Sequence, residues 1–300
     1  MRHSVHCPVM HINPYPDHGT WLRANFHAHS SEHSLCGTVP LAEGIRRYFE
    51  STTDVLAITD HNHVTPLEVF KNRYPGKILL EGYEHSTGPN YVIAGGRVPP
   101  PQFHDTTATI LDGATNCLRF ICHPDPHPGR EYWPMETLLS LKSVVDGIEI
   151  HNGHYGIARM LETGHRPEYR HIWDQVLTAG CHWWGYCNDD FHEPADFSNA
   201  FNMVCVDAIT PEAVVRAAKQ GACYGSTGIL ADTIQLHGNI IQVTTRETVQ
   251  GRFIGAGGRI LRESQGRQFD YSIPENEPYI RFEADNGPQA LWLQPFFKTA

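Results

Sequence analysis

Three pairs of potential metal ligands in this sequence are each separated by a single residue: His27 and His29, Glu149 and His151, and Asp190 and His192. Residues i and i+2 of a β-strand point to the same face, so both members of such a pair can reach one ion. Imidazole and carboxylate groups together suit divalent zinc, manganese or iron. The spacing therefore predicts strands that end in a metal site.

Further potential ligands occur where a predicted strand gives way to a loop: Asp60 next to His61, Glu84, and His123. In a parallel barrel the carboxyl ends of the strands converge on one face, where active sites lie. Any one of these residues alone is more often structural, but six motifs at successive strand ends favour a metal centre. Such a centre activates water and clamps the attacking and leaving oxygens. A carboxylate can bridge two cations, so we predict Glu84 as the bridge.

The elements that must position these residues follow from hydrophobic periodicity. Strands are predicted over residues 21–27, 54–59, 77–81, 91–95, 117–122, 144–150, 182–187 and 202–206. Helices are predicted over residues 41–49, 134–142, 168–179 and 210–221. This alternation of strands and helices indicates an α/β fold with a parallel sheet or barrel.

The pattern changes after Gly228, where strand-like runs follow one another with little helix between them. These runs cover residues 233–236, 239–244, 279–284 and 290–293. We therefore predict two domains. Residues 1–228 would form the metal-binding barrel, preceded by a solvated arm over residues 1–20, and residues 229–300 would form a small antiparallel β unit.

The composition excludes several classes of function. The 300 residues carry a formal charge of −10, which argues against binding to nucleic acid. Histidine is frequent, with 20 residues, and this again indicates metal binding. No apolar run approaches the length of a membrane span, and no secretory leader is evident. The eight cysteines include no Cys-x-x-Cys pair, so we predict free thiols and a cytoplasmic protein.

In this order, the motifs resemble those of the polymerase and histidinol phosphatase (PHP) superfamily. The matching segments are residues 25–30 (NFHAHS), 58–62 (ITDHN), 82–84 (GYE), 121–124 (ICHP), 147–150 (GIEI) and 189–192 (DDFH). Residues 223–228 (CYGSTG) and 279–295 resemble the branch that also contains carbamate hydrolases. The resemblance implies a distorted seven-stranded (β/α) barrel with two or three divalent ions, Mn²⁺, Zn²⁺ or Fe²⁺.

The same resemblance implies a ligand set. One ion would be held by His27, His29, Glu84 and Asp190. A second ion would be held by His61 and His192 together with a ligand from the loop after His29. That ligand is usually Asp or His, so we predict His33, with Glu32 as the alternative.

A third ion would use Glu84 and His123. The histidine that often flanks the 91–95 strand in this superfamily has no counterpart here, where Asn90 precedes the strand. We therefore expect two firmly bound ions and a weak or absent third. The residues that are left to complete its shell are His85, His104, Glu149 and His151.

These residues predict a metal-dependent hydrolase, most specifically a phosphoesterase that cleaves a small phosphorylated metabolite with a metal-bound hydroxide. Asp60 and His151 are the predicted catalytic residues, and Asp60 would act by orienting His61. A guanidinium suits bidentate contact with phosphate. The candidate phosphate-binding residues are Arg97, Arg130 and Arg159.

Two alternatives stay open. A carbamate or amide hydrolase would use the same metals in a more aromatic pocket, which Trp133, Trp183 and Trp184 would supply. The second alternative is a non-enzymatic module with a degenerate site, and the near-complete set of ligands argues against this alternative.

Overall fold

A computed structural model of the chain describes residues 11–299. The first ten residues of the predicted arm lie outside this range. The helices are α1 (Leu41–Phe49), α2 (Glu68–Lys71), α3 (Thr107–Asp112), α4 (Met135–Ser140), α5 (Ala158–Glu162), α6 (Arg170–Thr178) and α7 (Pro211–Lys219). The strands are β1 (His11–Ile12), β2 (Thr20–Asn25), β3 (Val55–Ile58), β4 (Ile78–His85), β5 (Tyr91–Ala94), β6 (Leu118–Ile121), β7 (Gly147–Asn152), β8 (Trp184–Asn188), β9 (Phe201–Val206), β10 (Cys223–Ser226), β11 (Ala231–His237), β12 (Ile240–Gly255), β13 (Arg259–Ser272), β14 (Tyr279–Asp285), β15 (Ala290–Leu293) and β16 (Phe296–Lys298).

Every strand and helix that was predicted before residue 228 has an observed counterpart. Helix α1 buries Ile45, Tyr48 and Phe49 on one face, as its periodicity predicts. Helix α7 begins after Thr210, whose side chain accepts a hydrogen bond from the N–H of Ala213. Strand β13 was not predicted, because most of its side chains are exposed and no buried face alternates along it.

One mixed sheet runs through the described residues. Strands β2, β3 and β4 are parallel, as are β6, β7 and β8, whereas β5 is antiparallel to both of its neighbours. The predicted α/β class is thereby confirmed. Strands β2 to β8 follow one another in chain order, but within residues 11–299 no backbone pairing joins β8 to β2. The sheet therefore does not close into the predicted seven-stranded barrel.

Side-chain amides occupy the opening beside β8. Asn202 on β9 donates from Nδ2 to the carbonyl of Cys187 at 2.6 Å and accepts from the N–H of Cys187 at 3.0 Å. Gln294 makes the same pair of bonds with Gly185, both at 2.8 Å. Because these amides satisfy backbone groups that a neighbouring strand would pair, β8 can end the sheet without leaving them unbonded.

The strands after residue 228 are antiparallel. The long strand β12 pairs with β11, β13 and β14, and the sheet continues through β15 to β10. The division into domains at residue 228 stays a prediction. Every cysteine among the described residues is a free thiol, and no helix of that part of the chain is long and apolar enough to cross a membrane.

Candidate metal centre

The ends of β2, β3, β4, β6 and β8 bring a set of imidazoles and carboxylates together. One buried cluster contains His27, His29, Glu84 and Asp190, the four residues predicted for the first ion. Two overlapping clusters extend it on either side. They are His29, His61 and His192, and His27, Glu84, Cys122 and His123. Within each cluster the potential ligand atoms all lie within 4.8 Å of one another.

Glu84 is at the centre of these clusters and is fully buried. Its Oε2 lies 3.4 Å from Nε2 of His27, 3.3 Å from Nε2 of His29 and 2.9 Å from Nδ1 of His61. Its Oε1 lies 2.9 Å from Nε2 of His123. One carboxylate oxygen thus faces three imidazoles and the other faces a fourth, which is the arrangement that a bridging ligand requires.

Asn90 and Asp190 complete the surroundings of this carboxylate and of the paired histidines. Asn90, which precedes β5, donates to Oε1 of Glu84 at 2.6 Å. Oδ1 of Asp190 lies 3.1 Å from Nε2 of His27 and 3.0 Å from Nε2 of His29. Asp190 has a φ of 51°, in the left-handed region that costs backbone energy, so the turn after β8 is held there by its surroundings.

Hydrogen bonds at Nδ1 fix the orientation of three imidazole rings. Nδ1–H of His27 donates to Oε1 of Glu149 at 3.3 Å, and Nδ1–H of His192 donates to the carbonyl of Asp190 at 2.6 Å. Nδ1 of His29 lies 3.2 Å from Oγ of Ser34. Each ring therefore uses Nδ1 for this bond and leaves Nε2 as the nitrogen available to a cation, as in many metal sites.

Asp60, which was predicted to orient His61, is linked to that residue through Ser34. Its carboxylate accepts from Oγ of Ser34 at 2.8 Å, and Ser34 in turn accepts from the backbone N–H of His61 at 3.1 Å. Since the hydroxyl proton of Ser34 is committed to Asp60, Nδ1–H of His29 is the donor in the third bond. Asp60 is also bonded to Ser30 and Thr65, so it ties the loop to β3 and holds the His29 ring.

Charged neighbours within the cluster shift the pKa values of Glu84 and His61 in the direction opposite to burial. Burial alone would raise the pKa of Glu84, but His27 and the other imidazoles hold it well below its usual range. Burial would lower the pKa of His61, but the neighbouring Cys36 thiol and Glu84 carboxylate raise it to about 10. Burial and the neighbouring His192 lower the pKa of His29 to about 3. The cluster therefore keeps its carboxylates ionised and retains protons on some of its rings.

Several buried atoms in the cluster have no hydrogen-bond partner. They are Nε2 of His27, Nδ1 of His61, Oε2 of Glu84 and Nδ1 of His123. A buried polar atom without a partner is costly, and a divalent cation would satisfy such oxygens and nitrogens together. The residues present therefore fit metal binding.

The predicted loop ligand His33 lies outside these clusters. Its exposed ring stacks on His63 at a centroid distance of 4.0 Å, and the Glu32 carboxylate accepts from the N–H of Leu41 at the start of α1. Besides Ser34, this loop places Cys36 at the cluster, where it lines the same cavity as the imidazoles of His61 and His192. Burial would raise the pKa of this thiol, but the two imidazoles lower it to about 6.

His151 faces away from the cluster. A register shift in the β7–β8 pairing falls between Glu149 and His151, so the two residues do not share a face as simple alternation predicts. The ring of His151 stacks on Trp292 at 5.2 Å, and burial lowers its pKa to about 4. It lines a separate cavity of about 820 Å³ together with Arg170.

The three predicted arginines also separate. Arg130 lines the cavity above the cluster. Arg97 follows β5, which runs antiparallel to β4, so it leaves the sheet at the edge opposite Glu84. Arg159 is exposed and bonds to Glu193 at 3.0 Å.

A cavity of about 370 Å³ opens directly onto the cluster. Most of its outer wall was not predicted from the sequence. This wall consists of Pro126, His127, Tyr132, His154, Tyr155 and His165. These residues lie in loops or short helical turns without a periodic pattern. The nearest signal in the sequence was the high density of histidine between residues 123 and 165.

The fold and the clustered ligands define a mixed α/β protein with a candidate metal centre at the strand ends. No family model matches the chain, and no curated protein matches it either. A solved two-domain protein from Bacteroides vulgatus, which contains a predicted PHP-like metal-dependent phosphoesterase, superposes with a TM-score of 0.53 at 14% identity. The match covers 94% of this chain and 95% of that one. The predicted resemblance to the PHP superfamily is therefore confirmed at the level of the fold.

Two further solved structures are similar over shorter lengths. PsfC from Pseudomonas syringae matches with a TM-score of 0.45 and 13% identity, over 66% of this chain and 87% of that one. An amidohydrolase from Chromobacterium violaceum with bound sulfate matches with a TM-score of 0.40 and 15% identity, over 57% of this chain and 88% of that one.

Proposed function

We propose that this chain is a metal-dependent hydrolase and, more specifically, a phosphoesterase that acts on a small phosphorylated molecule. The observation that carries the proposal is the environment of Glu84. Its carboxylate is fully buried, and one of its oxygens has no hydrogen-bond partner. The carboxylate faces four imidazoles and lines an open cavity. Such a set of donors around one carboxylate is typical of a site for more than one cation.

The proposal assigns the first cation to His27, His29, Glu84 and Asp190. The second lies at His61 and His192, with Glu84 as the shared ligand. A third, weaker position would use His123. When bound, Mn²⁺, Zn²⁺ or Fe²⁺ supplies an activated water and neutralises charge on the phosphoryl oxygens.

The wall of the cavity would bind and orient the substrate. Arg130 offers a planar guanidinium that suits two phosphate oxygens at once, and His127 and His165 lie beside it in the same wall. The cavity volume of about 370 Å³ suits a small molecule. These residues support a phosphorylated substrate over a neutral one.

His154 is suited to move a proton. Its Nδ1–H donates to Oδ1 of the fully buried Asp196 at 2.9 Å, which leaves Nε2 as the free nitrogen of the ring. His154 also lines the cavity. We infer that the imidazolium form of His154 gives its Nε2 proton to the leaving oxygen and becomes the neutral ring, while Asp196 keeps its bond to Nδ1–H and holds the ring in place.

Carbamate or amide hydrolysis is the second candidate, because Tyr132 and Tyr155 add aromatic surface to the same cavity. The three tryptophans named for this alternative do not line the cavity. Trp183 is fully buried in the core, and the indole N–H groups of Trp133 and Trp184 donate to backbone carbonyls.

A hydrolysis screen with manganese- and zinc-loaded protein tests the proposal. It should compare phosphomonoesters, cyclic phosphodiesters, carbamates and amides. We expect cleavage of phosphoesters that His27→Ala abolishes and His237→Ala preserves, since His237 is exposed on β11. Cleavage of carbamates or amides alone would favour the second candidate.

Elemental analysis of the same samples tests the metal centre separately from the substrate. The protein should retain at least two divalent ions per chain after loading. His27→Ala should lose metal and His237→Ala should not. Less than one ion per chain in the loaded wild type would contradict the metal-dependent mechanism.

A further inference from the structure

Cys36 is the one side chain of the loop between His29 and α1 that reaches the candidate metal centre with a soft donor atom. Its side chain lines the cavity above the cluster together with His61, His192 and Glu84. We propose that Cys36 is a protein ligand of the second cation, together with His61 and His192. This inference rests on the proposed metal-dependent function.

The other candidates in the same loop are engaged elsewhere. The Glu32 carboxylate accepts from the N–H of Leu41 at 2.9 and 3.1 Å, at the start of α1. His33 stacks on His63 in an exposed position. Cys36 is therefore the residue of this loop that can complete the ligand set.

The atoms around the thiol point independently to a cation. Oε2 of Glu84 is fully buried, has no hydrogen-bond partner and lies 2.9 Å from Nδ1 of His61, which also has none. His192 uses its Nδ1–H on the carbonyl of Asp190, which leaves Nε2 free. These two nitrogens and one oxygen belong to side chains that line the same cavity as Cys36.

The loop is fastened so that the thiol stays in position. The backbone N–H of Thr38 donates to the carbonyl of His192 at 2.7 Å, and its hydroxyl donates to the same carbonyl at 3.1 Å. The N–H of Gly37 donates to the carbonyl of Ser34 at 2.9 Å. Cys36 is thereby tied to the turn that carries one of its partner ligands, which limits the entropy lost on metal binding.

The proposed ligand changes the metal preference of the second position. A thiolate with two imidazoles and a carboxylate is a four-donor set that favours Zn²⁺ or Co²⁺ over Mn²⁺, because sulfur is a soft ligand. The first position has only imidazole and carboxylate donors and accepts harder cations. The two positions should therefore differ in the ions they select.

Cobalt substitution of the full-length chain tests this directly. A thiolate bound to Co²⁺ gives a charge-transfer absorption band in the near ultraviolet, which imidazole and carboxylate ligands do not give. We expect this band in the wild type and in Cys205→Ala, which alters a buried cysteine on β9, and not in Cys36→Ala. Elemental analysis should show one fewer cobalt ion per chain in Cys36→Ala than in the two other proteins.

The remaining outcomes are distinguishable. A wild type that binds two cobalt ions without the band would overturn the role of Cys36 and leave the metal centre standing. A band that persists in Cys36→Ala and disappears in Cys122→Ala would identify Cys122, on the other side of Glu84, as the sulfur ligand. That result would also overturn the proposed role of Cys36. A wild type that binds no cobalt would contradict the proposed function itself.

A thiol titration under native conditions adds a readout that does not depend on cobalt spectra. Cys36 is exposed, whereas the other cysteines among the described residues are buried. The metal-free wild type should therefore show one more reactive thiol than Cys36→Ala, and zinc should protect that thiol. Reactivity that zinc leaves unchanged would contradict the inference.

Discussion

Glu149 lies directly behind His27, with Oε1 3.3 Å from Nδ1 of the imidazole, and both side chains are fully buried. The same carboxylate accepts from the backbone N–H of His123 at 2.9 Å and from Nδ2 of Asn152 at 2.9 Å. A single acidic side chain thus sets the ring direction of one candidate ligand and the backbone position of another.

Replacing Glu149 by glutamine should weaken metal binding without removing a ligand. An amide NH₂ would face several donors, so the His27 ring would lose its fixed direction. We expect roughly 10- to 100-fold lower metal affinity, as for other residues that hold a ligand in place. Competition with a chelator measures this, and Glu168→Gln, which changes a half-exposed carboxylate at the separate cavity, should leave the affinity unchanged.

Glu84→Gln should have a larger effect on turnover. The variant keeps the shape of the side chain but removes the charge that offsets two cations, so we expect loss of the second ion and a fall in rate of several powers of ten. Glu81→Gln is the matched control on the same strand. The Glu81 carboxylate accepts from the N–H of Leu67, away from the cluster, and near-normal turnover in Glu84→Gln would show that Glu84 is not the bridge.

Metal binding near neutral pH should release protons. Burial alone would lower the pKa of both rings, but Cys36 and Glu84 raise that of His61 to about 10, and Asp190 and Cys36 raise that of His192 to about 9. Both rings are therefore protonated at about pH 7 in the metal-free protein, and a cation must displace those protons. The number released should fall as pH rises through 9 to 10.

Calorimetry in two buffers with different ionisation enthalpies counts these protons. His61→Ala should release fewer protons per bound cation than the wild type, and His237→Ala should match the wild type. Binding heats that are independent of the buffer at about pH 7 would show that the rings are already neutral.

Arg130→Ala should raise the KM for a phosphorylated substrate by about 10-fold or more, because a hydrogen bond to a charged group is worth roughly 1.5–3 kcal/mol. The effect on kcat should be smaller. Arg159→Ala and Arg97→Ala should leave KM unchanged, since the first is paired with Glu193 at the surface and the second lies beyond the far end of β5. Equal effects of all three variants would indicate a general charge effect.

Gln294→Leu should destabilise the fold. It would leave the N–H and the carbonyl of Gly185 without partners, and each such buried group costs about 1–3 kcal/mol. Denaturant titration should show this loss in the free energy of unfolding. Gln242→Leu changes an exposed glutamine on β12 and should shift the free energy of unfolding by less than about 0.5 kcal/mol.

The ligands at the strand ends could be predicted because the strands before them are short, buried and apolar. Strand β3 is buried along its whole length, and the residues that follow it are Thr59, Asp60 and His61. Such runs are visible in a sequence, and parallel pairing then brings their ends together.

The direction of β5 could not be predicted in the same way. All four of its residues are buried, so the run has no alternation and gives no sign of whether it lies parallel or antiparallel. For this reason the sequence associated Arg97 with the metal centre, whereas Asn90 at the other end of the strand is the residue that contacts Glu84. The register shift in β7 could not be predicted either, and it turns His151 away from the face that Glu149 occupies.

The loop ligand and the cavity wall depend on turns that have no period. Cys36 and His33 lie three residues apart in one loop. Cys36 lines the cavity beside His61, whereas His33 stacks on His63, and their spacing in the sequence does not indicate which of the two reaches the cluster. Tertiary contacts decide between them.

The antiparallel pairing of β2 with β9 determines when the metal centre can form. This pairing joins Trp21 to Cys205, and the candidate ligands His27 and His192 are more than half of the chain apart in sequence. A nascent chain would therefore present its first histidines long before it acquires the last ones. Contacts of such long range form slowly, so complete metal binding belongs to the last stage of folding. The concentration of available metal should therefore affect the yield of mature protein and have little effect on the early collapse of the chain.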